Sequence, residues 1–308
     1  MGRSARSPKD FRNLDGILIL DKPVGISSNA ALQDTRHIFK ARKAGHSGSL
    51  DPLATGVLPI CFGEATKFSS YLLNASKRYR ASCKLGQTST TGDAEGEIVE
   101  HESVKVSRLE ILRVLETFTG DIEQVPPMHS ALKHKGKRLY ELARQGKQVE
   151  RQPRRLRIHS LELLSFDDEC LVLDVHCSKG TYIRTLAQDI GEALGCGAYL
   201  NALRRTGVEP FWGETAYSID RLRILAGQAM DKIDALLLPV SAALKDFPAL
   251  LLDNSRCLQL QQGKVIRMEA AGSVGIHRLV SENGRFIGLG EALPDGSLTA
   301  KRLMNTTR

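Results

Sequence analysis

The stretch Leu171-Val172-Leu173-Asp174-Val175-His176-Cys177-Ser178-Lys179-Gly180-Thr181-Tyr182-Ile183-Arg184-Thr185-Leu186-Ala187-Gln188-Asp189-Ile190-Gly191-Glu192-Ala193-Leu194 decides the fold. Leu171, Leu173 and Val175 alternate with Val172, Asp174 and His176, the period of a strand with one buried face. Ser178 to Tyr182 reads as a turn. Ile183, Leu186, Ala187, Ile190 and Leu194 then recur at helical spacing on one face, an amphipathic helix.

Outward from this unit the chain mixes strands and helices. Gly16 to Leu20 is an apolar run that predicts a buried strand, closed by the breaker cluster Asp21-Lys22-Pro23-Val24-Gly25. A helix follows, capped by Ser27 or Ser28, with Ala31, Leu32, Thr35, Ile38 and Phe39 at helical spacing. Lys40, Arg42 and Lys43 fall near its end, where cations suit the helix dipole. Gly45 to Gly56 reads as a loop, and Leu109 to Phe118 as a helix with Ile111, Leu112, Leu115 and Phe118 on one face. The texture changes near Lys245 to Pro248. Beyond it, Asn283-Gly284 joins the runs Ile276 to Val280 and Phe286 to Leu289, predicting a type I′ hairpin, and Pro294-Asp295-Gly296 marks a further turn. With no regular βαβ period, the class is α+β, followed by a small β-rich region.

Composition sets the bounds. A chain of 308 residues is long enough for about two domains at roughly 150 residues each. Hydrophobic residues at 42% and charged residues at 25% exclude a largely disordered or fibrous chain. Apolar runs stop well short of the roughly 18 to 20 residues that span a bilayer, and the basic start, Met1 to Arg12, has no apolar signal core. Cys61, Cys83, Cys170, Cys177, Cys196 and Cys257 form no C-x-x-C pair and no zinc spacing, so neither a metal site nor a disulfide framework is expected. Reduced thiols in a cytoplasmic protein fit this pattern.

Charge is concentrated. The chain holds 43 Lys plus Arg against 35 Asp plus Glu, a surplus of +8. From Lys133 to Arg157 stand Lys133, Lys135, Lys137, Arg138, Arg144, Lys147, Arg151, Arg154, Arg155 and Arg157, against Glu141 and Glu150 alone, so this one segment carries a surplus equal to that of the whole chain. Such a run is either a solvated face or a loop-rich arm for a phosphate backbone; Gly136, Gly146, Pro153 and Tyr140 within it favour the arm.

The richest loop is Gly45-His46-Ser47-Gly48-Ser49-Leu50-Asp51-Pro52-Leu53-Ala54-Thr55-Gly56. Its glycines permit sharp turns, and Pro52 holds Asp51 extended, so a carboxylate is presented from a stiff support. That suits nucleophilic or electrostatic work at a sugar carbon. The loop has no G-x-S-x-G elbow, and the chain has no phosphate-cradling Gly-Lys-Ser/Thr run.

Taken together, Gly16 to Gly25, Gly45 to Gly56, Lys77-Arg78-Tyr79, Ser178 to Arg184 and the stretch from Gly195-Cys196-Gly197-Ala198 to Leu203-Arg204-Arg205 resemble the TruB family of tRNA pseudouridine synthases. The resemblance spans most of residues 14 to 210. It implies a mixed, mainly antiparallel central sheet flanked by helices, a catalytic domain over 1–246 with a gripping insertion about 124–157, and a small PUA-like β-barrel over 247–308. The implied reaction is isomerisation of uridine 55, in tRNA numbering, within the T-loop. No cofactor or metal would be required, the partner would be the tRNA T-arm, and the protein would act as a monomer without an obligate protein partner or a membrane.

The resemblance also implies roles. Asp51 matches the aspartate that attacks the target nucleoside, at the base or at the ribose anomeric carbon. Tyr79 matches the tyrosine packed on the flipped uracil and Arg184 the arginine paired with the aspartate. His46, Tyr182, Leu203 and Lys22 would bind the uridine, while Lys133, Lys135, Lys137, Arg138, Arg144, Lys147, Arg154 and Arg155 would contact the RNA backbone. Physically, an arginine partner would hold Asp51 ionised and aimed, and an aromatic face would replace the stacking that a flipped base loses. Two rivals stand beside this reading. One is a tRNA-folding protein whose chemistry is secondary; the other is a glycoside-type hydrolase, which needs a second carboxylate such as Asp93 or Glu64.

Overall fold

The computed structural model describes residues 11–101, 104–130, 132–167, 169–268 and 273–305, so the expected basic tail from Met1 to Asp10 lies outside the described residues. Gly16–Lys22 forms β1, whose apolar run is buried on both faces. The breaker cluster leads into α1 (Ser28–Ile38), capped by the Ser27 hydroxyl, which accepts from Ala30 N at 3.1 Å. Ala31, Leu32 and Thr35 turn into the core, and Lys40, at φ 48°, reverses the chain. Next come β2 (Ala44–His46) and β3 (Thr55–Phe62). The expected loop from Gly45 to Gly56 is therefore shorter, because both its ends are drawn into strand pairing: Gly45 lies opposite Cys61 and Gly56 opposite Lys22.

After α2 (Ser69–Asn74), β4 (Lys77–Leu85) buries Tyr79, Ala81 and Cys83 and exposes Arg78 and Arg80, a strand with one covered face. The hairpin β5 (Gln87–Ser89) and β6 (Ile98–Glu100) precedes α3 (Arg108–Thr117), which opens on a capping box between Ser107 and Glu110. Leu112, expected on the buried face of α3, is 39% exposed; the stripe is Ile111, Val114, Leu115 and Phe118, the i, i+3, i+4, i+7 set. Then β7 (Gly120–Gln124) ends at an excursion made of β8 (Lys133–His134), β9 (Lys137–Arg138) and α4 (Leu139–Ala143). The chain returns as β10 (Arg154–Asp167), β11 (Cys170–Cys177), α5 (Ile183–Ala193) and β12 (Ala198–Val208). Short pieces follow: β13 (Tyr217–Ser218), α6 (Ile219–Gln228) and α7 (Met230–Asp234).

The central sheet runs β13-β1-β3-β12-β4-β11-β10-β7, with β2 added beside β3. Only β1 with β13 and β3 with β12 are parallel, so the sheet is mixed and mainly antiparallel, as expected. The inward residues of β4 and β11 pack against Leu186, Ala187 and Ile190 of α5 and Ile111 and Leu115 of α3. Truncating Leu186 or Ile190 to alanine would cost about 2 to 5 kcal/mol, so α5, and the turn ahead of it, is firmly seated.

A second sheet is built from β14 (Ala249–Leu252), β15 (Ile266–Arg267), β16 (Gly275–Ser281), β17 (Phe286–Ala292) and β18 (Ser297–Leu303), in the order β14-β16-β17-β18-β15, with α8 (Asn254–Gln261) against it. This is a curled half-barrel. The hairpin at Asn283-Gly284 is present, yet only Gly284 is left-handed (φ 79°), so the turn is type I with a glycine bulge. Two successive left-handed residues occur instead at Lys135 (φ 48°) and Gly136 (φ 85°), which join β8 to β9. The half-barrel is not free of the rest: Phe286 meets Phe68 edge-on at 5.6 Å, and Leu289 shares a core with Ile17 and Ile19. No helix among the described residues is long and apolar enough to cross a membrane.

Candidate active site

The loop 47–54 is fixed at every turn. Ser28, the cap candidate that α1 does not use, is buried; its hydroxyl accepts from Leu50 N at 2.7 Å and donates to Leu50 O at 2.9 Å. Gly25 N donates to Pro52 O at 2.9 Å, and Arg205 donates to Gly48 O at 3.0 Å. Gly48 takes φ 78°, and a Cβ on Gly56 would stand 2.2 Å from Arg205 O, so glycine is required at both places. Asp51 emerges from this support with its side chain 48% exposed.

Arg184, at the first turn of α5 and nearly buried, is its partner. One guanidinium nitrogen lies 3.0 Å from Asp51 and donates to His129 O at 2.7 Å; another lies 3.4 Å from Asp93, and a third donates to Thr91 O at 3.2 Å. Asp93 is 2% exposed and also accepts from Thr91 Oγ1 at 2.6 Å and Glu95 N at 3.1 Å. The loop between β5 and β6 therefore completes the site. Glu95 reaches the same cleft, and burial, with Asp93 and Asp51 beside it, raises its carboxyl above the usual range.

A cleft of about 1030 Å³ collects Asp51, Tyr79, Arg184, His46, Tyr182 and Leu203. Tyr79 is buried in its wall beside Arg205; burial pushes its hydroxyl upward, and Arg205 offsets this in part. His46 is held below the usual histidine range by burial first and Arg205 second, so its ring is neutral at pH 7. Tyr182 caps α5 through a backbone clamped by Gln124, whose amide accepts from Tyr182 N at 2.8 Å and donates to Tyr182 O at 3.1 Å.

Lys22 does not reach the cleft. It is 0% exposed and its ammonium turns onto Pro23 O (2.8 Å) and Pro52 O (3.4 Å), while burial pushes its pKa down to about 8. Its place is beneath the Asp51 loop, as a support rather than a substrate contact.

The basic residues divide. Lys133, Arg138 and Arg144 line the cleft, and Arg138 and Arg144 lie 5.8 and 5.6 Å from the Tyr140 ring centroid. Lys135 and Lys137 sit at the exposed hairpin tip, and Lys147 borders a neighbouring cavity of about 420 Å³. Arg154 and Arg155 belong to β10 of the central sheet; Arg155 lies 3.5 Å from Glu123, and Arg154 acts electrostatically on Tyr182. The excursion is thus 125–153, tighter than the expected 124–157.

Asp93, Glu95, Gln124, Ser28 and Arg205 were not predicted as site residues. Gly92-Asp93-Ala94-Glu95-Gly96, acids bracketed by glycines, is the one local signal that could have marked the first two. Of the two candidate second carboxylates, Glu64 is remote, bound to Lys67 at 2.7 Å and to Asn305 N at 2.7 Å, and Asp93 is buried under Arg184. Among the described residues, no group of three or more His, Cys, Asp and Glu side chains is placed to hold a metal ion.

The chain as a whole is similar to known proteins. Residues 36–183 match the N-terminal domain model of the TruB family pseudouridylate synthases, 184–245 the C-terminal domain of tRNA pseudouridylate synthase B, and 248–304 the C-terminal model of pseudouridine synthase II TruB. The chain is 52% identical over 293 residues to tRNA pseudouridine synthase B of Methylobacillus flagellatus, covering 95% of this chain and 96% of that protein. It is 50% identical over 294 residues to the protein of the same name from Nitrosococcus oceani, again covering 95% and 96%. A solved chain from a Cbf5-Nop10-Gar1 complex superposes with a TM-score of 0.75 at 25% identity, covering 94% of this chain and 85% of that one. With all three models and near-full-length relatives at about half identity in agreement, the chain belongs to the TruB family of pseudouridylate synthases.

Proposed function

We propose that this enzyme converts uridine 55 in the T-loop of tRNA to pseudouridine, with Asp51 as nucleophile. The observation that carries the reading is the half-exposed Asp51 carboxylate, 3.0 Å from the buried Arg184, in a cleft that also presents Tyr79. Tyr79 offers the flipped uracil a stacking surface worth roughly 1 to 3 kcal/mol. Asp51 attacks the uracil ring or the ribose anomeric carbon; the C–N glycosidic bond breaks, the uracil turns, its C5 bonds to the same anomeric carbon, and the bond to Asp51 breaks to return the free carboxylate. One proton leaves C5 and one arrives at N1, so nothing is oxidised and no external reagent is consumed. The Tyr79 hydroxyl assists removal of the C5 proton.

Lys133, Arg138, Arg144 and Tyr140 place cations and a ring on the wall of the cleft, which supports closure of the excursion on the RNA backbone. Relatives named tRNA pseudouridine synthase B support tRNA as the substrate. The enzyme acts as a cytoplasmic monomer without a cofactor, its C-terminal region, 247–308, serving as a second RNA-binding domain. Mapping pseudouridine in total tRNA with and without the protein tests this: modification at position 55 that depends on the protein supports it, and modification confined to other positions contradicts it.

A further inference from the structure

Arg205 lies on β12, opposite Tyr79 of β4 and beside Gly56 of β3. It is 1% exposed, and among the described residues it has no carboxylate within ion-pairing distance. Its guanidinium is held by neutral acceptors, Val57 O at 2.6 Å and Gly48 O at 3.0 Å, and it acts electrostatically on the hydroxyl of Tyr79, its cross-strand neighbour. Those points are the exit of the Asp51 loop, its entrance, and the aromatic wall of the cleft. The loop glycines make room for it, since a Cβ on Gly48 would approach Arg205 Nη1 to 3.3 Å.

Burying a cation without an acid partner is costly, and bridging two carbonyls alone would not require one. We propose that Arg205 is a positioning residue of the isomerisation, tying the Asp51 loop and the Tyr79 hydroxyl to one buried charge so that nucleophile and ring keep a fixed separation. The proposal rests on the roles given above to Asp51 and Tyr79. Around this centre lie Lys22 of β1, His46 of β2, Lys77 of β4, Cys177 of β11 and Asp51; Arg205 lowers the proton affinity of Lys22, His46 and Lys77.

The test uses the full chain as wild type, Arg205→Met and Arg205→Lys, with single-turnover rates on a T-arm stem-loop at about pH 6 to 9.5 and RNA affinity measured in parallel. Arg205→Met is expected to slow the chemical step by roughly 100-fold with affinity within about 3-fold, and Arg205→Lys to recover about 10-fold with a displaced alkaline limb. A Met variant within about 3-fold of the wild-type rate, or a Lys variant with the wild-type rate and pH profile, overturns the role. Should the Met variant fail to fold, the Lys variant decides by the same criteria. Absence of product from the wild type would overturn the function itself, a different outcome from equal turnover by wild type and variants.

Discussion

Arg184 serves four acceptors in three directions, two carboxylates and two carbonyls, which a planar guanidinium can do and an ammonium cannot. Arg184→Lys is therefore expected to fold, with Asp93 still neutralised, and to lose about 100-fold in kcat because Asp51 is no longer aimed. Arg184→Met leaves the 2%-exposed Asp93 without its cation and is expected to lose about 3 to 5 kcal/mol of stability by urea denaturation. Equal stability of the Lys and Met variants would remove Asp93 from the account. At this scale the sequence marked Asp51, Tyr79 and Arg184, which the fold brings together in one cleft, but not the residues that brace that cleft from behind. Asp51 stood out because Pro52 and glycines flank it. Arg205 and Gln124 work through backbone carbonyls and amides brought together only by the folded sheet, and no local pattern records such contacts. Lys22 was legible as part of a motif, while its burial beneath Pro52 depended on where two distant turns meet.

The excursion between β7 and β10 is where sequence charge and structure meet most directly. Of its cations, Lys133, Arg138 and Arg144 reach the cleft; Arg155, just beyond the excursion in β10, is matched by Glu123 of β7. Replacing Lys133, Arg138 and Arg144 by glutamine is expected to weaken stem-loop binding and lower the slope of log K against log salt by about 2, at roughly 0.7 per single-strand phosphate contact. Replacing Arg155 is expected to leave the slope within experimental error, and an unchanged slope for the triple variant would return the segment to a solvated face. The run of ten basic residues read as one arm because charge counting ignores the strand register that places Arg154 and Arg155 in the sheet. Period-based reading succeeded for β11 and α5, where one face is buried. It failed for Leu112, a residue adjacent to the stripe, and for the turn at Asn283-Gly284, where side-chain preference does not distinguish a type I′ turn from a glycine bulge.

Across the whole molecule, buried titratable groups set the pH response. Lys22 and Lys77 are pushed down from 10.5 to about 8 by burial, so above pH 8 the unfolded chain holds more protons than the folded one. Stability therefore rises with pH above 8, by up to about 1.4 kcal/mol per pH unit for each lysine. Cys61 and Cys83, pushed up to about 12, and Cys177, to about 11, act in the opposite direction once the unfolded thiols ionise near pH 9. Urea midpoints are expected to climb from pH 8 toward 9 and then level or fall; Lys22→Met should flatten the climb, and a wild-type midpoint falling steadily from pH 8 would contradict it. The α+β class was legible from alternation and spacing, and the mainly antiparallel sheet from the family resemblance. The seating of the half-barrel on β1 through Leu289 was not, since nothing along the chain says which apolar faces will meet.

The central claim is that Asp51 is the nucleophile of a uridine isomerase, and the most direct measurement is pseudouridine formation by Asp51→Asn on a T-arm stem-loop, with binding to the same RNA measured beside it. The account predicts loss of product by at least about 10⁴-fold with affinity within about 3-fold of wild type. Appreciable turnover by the variant would contradict it.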